Sequence, residues 1–263
     1  PEQVIWVVTS YVVGQAIATP LAGWLATRIG RNRVMAGSIL LFTLSSVACG
    51  LAATLPALVA FRFIQGLFGA ATVPLSQATL LDTYPPEEYG KAMAYYGIGS
   101  MFGGVAGPVV GGVLTEYMSW RWIFLVNLPV GLATSAALYA ALPKNRPQKS
   151  RFDLFGFTFL SIALASLQLM IDRGAQIDWF DSVEVQIEAV VAALSFYIFV
   201  VHLFTARNPY IQPALFTNRN FVVGSAVATA LGVLVFSALP IFGTMLQTML
   251  GYPVMMAGMM MAP

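Results

Sequence analysis

Charged side chains are scarce in this sequence. Only 9% of its 263 residues are Asp, Glu, Lys or Arg, while 58% are hydrophobic, and the mean hydropathy is +0.78. Because a soluble globular domain carries roughly 25% charged residues, this composition excludes that class and indicates a polytopic membrane protein. The net charge of +2 is too small to indicate a protein that binds nucleic acid.

Cysteine and histidine are almost absent, with Cys49 and His202 the single examples of each. One cysteine excludes an internal disulfide and a cysteine-cluster metal site. The sequence also has no nucleotide-binding loop and no nucleophile–histidine–acid set. We therefore expect no metal, no cofactor and no enzymatic activity. Cys49 is most simply a small core residue, and His202 is expected at the membrane interface.

Long apolar stretches dominate what is present. Eight are long enough for transmembrane helices, which need about 20 residues, and a ninth begins near Pro253. The predicted spans are 4–26, 34–53, 56–81, 92–115, 122–142, 153–171, 186–204 and 221–250. Tight connections and the lack of a two-residue alternation favour an all-α polytopic membrane helix bundle over a barrel. Without an initiator Met, and with its end inside an apolar run, the chain is expected to be incomplete at both ends.

The basic residues predict the orientation. Ten of the 13 Lys and Arg residues lie in the loops 27–33, 82–91, 143–152 and 205–220. Arg121 and Arg173 lie in loops on the other side, and Arg62 lies inside a span. Because cytoplasmic loops carry an excess of Lys and Arg, we expect these four loops to be cytoplasmic.

Arg62 is the most informative single residue, because a charge within a span costs about 2.5–3.5 kcal/mol on insertion scales. On a helix, Gln65, Gly66 and Gly69 share its face, which is polar and open. Arg62 either lines a transport pathway and tunes a proton-carrying carboxylate, or makes a structural contact near the end of its span. Glu116, Asp153 and Glu188 lie close to span ends and are expected at the interface, so no proton-carrying acid is identified.

Two glycine-containing segments are also patterned. Gly103, Gly107 and Gly111 recur at i, i+4 and i+8 around Pro108 and form a side-chain-free face, which suits either close helix packing or a transport element. In lipid such a segment stays helical, because its backbone has no water to bond. The segment 23–33 is a basic loop in which Gly30 permits a turn. Its arginines either dock on helix C-termini and neighbouring carboxylates or only keep the loop on the cytoplasmic side of the membrane.

Taken together, these residues resemble the major facilitator superfamily, and within it the fourteen-span drug:proton antiporters of the EmrB type. Gly23, Arg28, Gly30, Arg31 and Arg33 match the motif between the second and third helices, although Thr27 stands where an acid is usual. Arg62, Gln65 and Gly66 match the fourth-helix motif. Gly103, Gly107, Pro108, Gly111 and Gly112 match the antiporter motif of the fifth helix, G-x-x-x-G-P-x-x-G-G.

The resemblance implies a fold of two six-helix halves built from inverted repeats. Residues 1–142 would supply helices two to six of the first half, residues 143–220 two additional helices, and residues 221–263 the start of the second half. Arg62 and Gln65 would then act in proton coupling, with the embedded acid on the first helix outside this chain. The fifth-helix glycines would form a hinge, and the basic loop a cytoplasmic latch.

The implied function is secondary active transport in the inner membrane. The protein would export drugs or amphiphilic small molecules in exchange for protons, with a periplasmic adaptor of a tripartite pump as a further partner. Two alternatives remain open: a carrier of the same superfamily for one specific metabolite, and a membrane scaffold subunit that transports nothing.

Overall fold

The computed structural model describes residues 2–141, 152–207 and 209–253, with residues 256 and 260. Ten α-helices run through these residues, and no strand occurs among them, which confirms the all-α prediction. The helices are α1 (Glu2–Ile29), α2 (Arg31–Leu51), α3 (Leu55–Gly69), α4 (Thr72–Thr83), α5 (Tyr89–Tyr117), α6 (Trp122–Leu125), α7 (Asn127–Ala141), α8 (Leu154–Gly174), α9 (Val183–Thr205) and α10 (Arg219–Thr248). Short 3-10 helices lie at Pro86–Glu88, Trp179–Asp181 and Pro213–Thr217.

Seven helical stretches in the described part of the chain are long and apolar enough to cross a membrane. They coincide with the first seven predicted spans, so the prediction of a multi-pass membrane protein is confirmed. The third stretch, Leu55–Thr83, combines α3 and α4, and the fifth, Trp122–Ala141, combines α6 and α7. The eighth predicted span is α10, a continuous helix of 30 residues. The loop at 143–151 and almost all of the ninth span lie outside the described residues.

The third span begins where its sequence supplies a cap. The hydroxyl of Thr54 accepts a hydrogen bond from the backbone N–H of Ala57, and Pro56 occupies the first turn, where its missing N–H costs nothing. The helix is interrupted between Gly69 and Thr72 and then continues as α4. Arg62 therefore lies about two turns after the capped start of α3.

The predicted loop 27–33 is almost entirely helical, which corrects the expectation. Helix α1 continues to Ile29 and α2 begins at Arg31, so Gly30 alone joins them. Gly30 has φ 104°, a conformation that only glycine adopts without strain, and its N–H still bonds to the carbonyl of Ala26. A single glycine therefore replaces the seven-residue loop.

The chain forms two compact units. One contains Pro1–Pro85 with Phe124–Tyr210, and the other contains Pro86–Ile123 with Ile211–Pro263. In the first unit α1 packs on α2, α3 and α8, α2 packs on α3 and α7, and α8 packs on α9. Its core has two buried clusters, one of Ala22, Val34, Met35, Ala71 and Leu75, and one of Cys49, Ala52 and Leu58. The second unit contains α5 and α10. The division at residues 142 and 220 stays a prediction.

Candidate functional site

Arg62 belongs to α3, and its side chain reaches α1 and is held by neutral groups. Its Nε donates to the carbonyl of Val7 at 3.1 Å, and its Nη1 donates to Oε1 of Gln65 at 2.9 Å. The guanidinium carbon lies 4.1 Å from the centre of the Tyr11 ring and 5.8 Å from that of Phe124. A cation over an aromatic face is stabilised by the negative face of the ring. The predicted pairing of Arg62 with Gln65 on one face is therefore present.

Gln65 is the buried end of this arrangement. It is 1% exposed, and Cys49, which is fully buried, has its Sγ 3.8 Å from Gln65 Oε1. The amide oxygen of Gln65 thus accepts from Arg62 and faces the weak thiol donor of Cys49. None of the ion pairs within the described residues includes Arg62. Among the described residues, its charge is balanced by dipoles and aromatic rings.

The open face expected at Gly66 is instead filled by the backbone of α1. A Cβ added at Gly66 would overlap the carbonyl oxygen of Tyr11, and one at Gly14 would overlap the carbonyl oxygen of Phe63. The two glycines therefore let α1 and α3 approach at backbone distance. This contact brings Tyr11 under Arg62.

Tyr11, whose ring lies beneath Arg62, also lines a cavity of about 370 Å³. The residues that line it share one property, since none of them is charged. They are Tyr11 and Gln15 of α1, Ile39, Phe42 and Thr43 of α2, Gly69 of α3, Thr72 and Val73 of α4, and Asn127, Val130, Gly131 and Thr134 of α7. Hydroxyl and amide groups alternate with aliphatic and aromatic surface, a lining that suits an amphiphilic molecule.

Arg31 docks on the C-terminal end of a neighbouring helix, the kind of contact that one of the two alternatives for the basic segment expects. Its Nη1 donates to the carbonyl of Ala78 at 3.0 Å and forms an ion pair with Asp82. Both partners lie in the last turns of α4, where the helix dipole favours a cation. The start of α2 is thus tied to the end of α4.

The other residues of this segment have different surroundings. Arg28 lies over the ring of Trp24, with 5.2 Å between its guanidinium carbon and the ring centre. Arg33 and Gly23 are exposed, and a Cβ added at Gly23 would meet nothing within 4 Å. Gly30 is the buried joint described above. Of the three arginines, Arg31 has the contacts that a latch requires.

The fifth-helix motif lies within α5, which stays helical through Pro108 as expected in lipid. Gly103 and Gly107 are exposed, and a Cβ added at Gly103, Gly107 or Gly111 would meet no described atom within 4 Å. Gly112 is buried. The side-chain-free face therefore exists, while its use as a hinge stays a prediction.

Two pairs of residues were missed by sequence reasoning. Asp82 was not singled out as the partner of Arg31, although its place at the end of a span next to a basic segment was a usable signal. Asp153 and His202 were each interpreted as interfacial, yet His202 Nε2 lies 2.9 Å from Asp153 Oδ1. They stand at the start of one predicted span and the end of the next, which antiparallel neighbours bring together.

The similarity of this chain to known proteins extends over its whole length. The family model described as Major Facilitator Superfamily matches residues 1–263. Multidrug export protein EmrB of Escherichia coli (strain K12) is 36% identical over 264 residues, which cover 100% of this chain and 52% of that protein.

Two further relatives differ in their named roles. Fatty acid resistance protein FarB of Neisseria gonorrhoeae is 35% identical over 261 residues, covering 98% of this chain and 51% of FarB. Putative multidrug resistance protein MdtD of Serratia proteamaculans (strain 568) is 37% identical over 265 residues, covering 98% of this chain and 54% of MdtD. The chain thus spans about half the length of the curated relatives it matches.

Proposed function

Since the chain belongs to the major facilitator superfamily, we propose that it acts in a secondary transporter that exports drugs or other amphiphilic small molecules in exchange for protons. The relatives named for multidrug export and fatty acid resistance support export of this kind of molecule. The observation that carries the proposal is Arg62, a cation within a predicted span that lies over Tyr11, a residue that also lines the uncharged cavity.

The proposed role of Arg62 is to set the proton affinity of a carboxylate. A nearby cation favours the ionised form of an acid and so lowers its pKa. In the described residues the guanidinium is held by Gln65, Val7 and Tyr11, none of which carries a negative charge. When a conformational change alters the distance between this guanidinium and the acid, the acid takes up or releases its proton. Gln65 keeps the guanidinium oriented between these states.

The cavity defines the class of substrate in this proposal. Phe42 and Tyr11 offer aromatic surface, and Gln15 and Asn127 offer amide groups, while no lining residue is charged. Such a lining favours molecules with aromatic or aliphatic surface and a few hydrogen-bonding groups. Selection by shape and polarity, with no fixed ion pair, fits a broad range of substrates.

The remaining assignments complete the proposal. We place the protein in the inner membrane with the segments 27–33, 82–91, 143–152 and 205–220 on the cytoplasmic side, since they hold most of the basic residues. The ion pair of Arg31 with Asp82 then latches the cytoplasmic face, and the glycine face of α5 provides the surface on which helices slide. A periplasmic adaptor is the expected protein partner.

The test measures accumulation of a fluorescent cationic dye in cells that lack their main efflux pumps. The protein is expressed at its full natural length as wild type, Arg62→Ala, Arg62→Lys and Arg207→Ala. Arg207 is an exposed arginine outside the site and serves as the matched control. We expect wild type and Arg207→Ala to lower dye content, a protonophore to abolish this effect, and both Arg62 variants to fail.

The outcomes separate the rival functions. Export that persists in Arg62→Ala would refute a role of Arg62 in coupling. Export that persists with the protonophore added would refute proton coupling itself. No export of any of a panel of dyes, with transport of one metabolite, would identify a dedicated carrier. If neither transport occurs and Arg62→Ala changes only stability, the protein is a scaffold subunit.

A further inference from the structure

Three segments of the chain meet at the carboxylate of Asp153. The side chain caps α8, because Oδ1 accepts a hydrogen bond from the N–H of Gly156 at 2.9 Å. Both carboxylate oxygens contact Nε2 of His202 in the last turn of α9, at 2.9 and 3.0 Å. Oδ2 also accepts from the backbone N–H of Tyr210 at 2.9 Å. Asp153 is 10% exposed and His202 23%, so the contacts are shielded from solvent.

Tyr210 connects this carboxylate to α1. Its hydroxyl donates to the carbonyl of Pro20. Burial raises the pKa of Tyr210 to about 12, so the hydroxyl keeps its proton at neutral pH and remains a donor. Its ring centre lies 6.2 Å from those of Phe152 and Phe157, and Phe152 in turn lies 4.5 Å from Trp24 of α1. Tyr210 is therefore fixed at its backbone and at the end of its side chain.

The fixed residue stands at a boundary in the chain. The first compact unit ends at Tyr210, and Ile211 begins the part of the chain that leads to α10. The hydrogen bonds therefore hold the chain at the point where it leaves the first unit.

We propose that Asp153, His202 and Tyr210 form an anchor, which positions the segment after α9 on α1 and thereby couples α8 and α9 to transport. These are positioning residues, since none of them lines the cavity that Tyr11 lines. The proposal rests on the proposed function for its transport readout. Its structural readout is independent of that function, so the two can fail separately.

All three contacts converge on the one carboxylate of Asp153. Oδ1 accepts from Gly156, both oxygens contact His202, and Oδ2 accepts from Tyr210. A side chain with no acceptor in the place of Oδ2 therefore releases the backbone of Tyr210, while a cap through Oδ1 can remain.

The structural test is hydrogen exchange, measured by mass spectrometry on the full-length protein in lipid nanodiscs. The probe is the amide of Tyr210, compared between the wild type and each variant at one pH. We expect this amide to be protected in the wild type, because it donates to Asp153 Oδ2. His202→Gln should retain the protection, since its side-chain amide also donates to Asp153.

Two further variants separate the anchor from the cap of α8. Asp153→Asn keeps the cap, since asparagine caps as well as aspartate, but it loses the charge that His202 pairs with. We expect loss of Tyr210 protection with unchanged exchange in α8. Tyr210→Phe removes the bond to Pro20, and its matched control is Tyr139→Phe, an exposed tyrosine on α7. Asp181→Asn is the corresponding control for the carboxylate.

The transport readout uses the dye assay described above. We expect Tyr210→Phe and Asp153→Asn to export several-fold more slowly, while Tyr139→Phe and Asp181→Asn match the wild type. An unprotected Tyr210 amide in the wild type, or full protection of this amide in Asp153→Asn, would refute the anchor. Loss of protection in Tyr210→Phe with normal dye export would refute its positioning role. If the wild type exports no dye, the exchange data alone decide for or against the anchor.

Discussion

The contact between α1 and α3 depends on two glycines, and replacing one of them gives a sharp prediction. A Cβ added at Gly66 would overlap the carbonyl oxygen of Tyr11 and lie 3.0 Å from its carbonyl carbon. These are backbone atoms in the middle of a helix, so they cannot rotate away as a side chain would. The two helices must separate instead. We expect Gly66→Ala to destabilise the protein, although alanine is the better helix former.

The magnitude follows from the packing that is lost. Overpacking a close contact costs about 1–3 kcal/mol, and a gap of about 1 Å along the contact forfeits up to half of the dispersion energy there. At roughly 2–4 °C per kcal/mol for 150–250 residues, the expected fall in the unfolding temperature is about 5 °C. Gly37→Ala on α2 is the matched control, because a Cβ there meets nothing within 4 Å. We expect this control to be neutral or slightly stabilising.

Labelling of Cys49 provides the measurement of the unfolding temperature. It is the single cysteine of the sequence and is fully buried, so a thiol-reactive fluorophore labels it only on unfolding. The melting temperature is read from the rise in fluorescence in detergent or nanodiscs. Gly14→Ala together with Gly66→Ala should cost less than the sum of the two single changes, because the first already separates the helices. Equal melting temperatures for Gly66→Ala and Gly37→Ala would refute the backbone contact.

Two further predictions concern the proposed transport cycle. Gly107→Leu fills the open face of α5, so we expect it to abolish dye export while membrane insertion, measured by fractionation, stays normal; normal export would refute the hinge assignment. Asp82→Asn breaks the partly exposed ion pair with Arg31, so we expect at most about 1 kcal/mol of destabilisation, read from the melting temperature, together with slower export. Exchanging the two side chains, with Arg31→Asp and Asp82→Arg in one protein, should restore export in part if the pair is the latch, whereas a purely local role of Arg31 predicts no rescue.

Patterns within one helix were predictable from the sequence. Arg62 and Gln65 are three residues apart, so helical geometry places them on one face whatever surrounds them. The continuity of α5 through Pro108 was also predictable, because a backbone in lipid has few alternatives to the helix. Tyr11 was not predictable in this way. Its place under Arg62 depends on the register between α1 and α3.

Pairings between helices were harder to predict, because each residue was assessed alone. Asp153 and His202 each lie near a helix end, where a solvated side chain is the ordinary expectation. Their contact follows only when α8 and α9 are taken as an antiparallel pair. Gly66 was interpreted wrongly for a different reason. Its lack of a side chain was interpreted as open space, whereas in the structure it lets the α1 backbone approach closely.

The joint at Gly30 has a mechanical consequence for α1 and α2. Only one residue lies between the two helices, so no loop between them can change its length. Helix α1 therefore acts as a stiff lever of about 42 Å. A tilt of about 5° moves its far end by about 4 Å, and α2 cannot absorb this by extending a loop. A displacement of the joint at Gly30 is therefore transmitted along α1 to Val7, whose carbonyl accepts a hydrogen bond from Arg62 of α3.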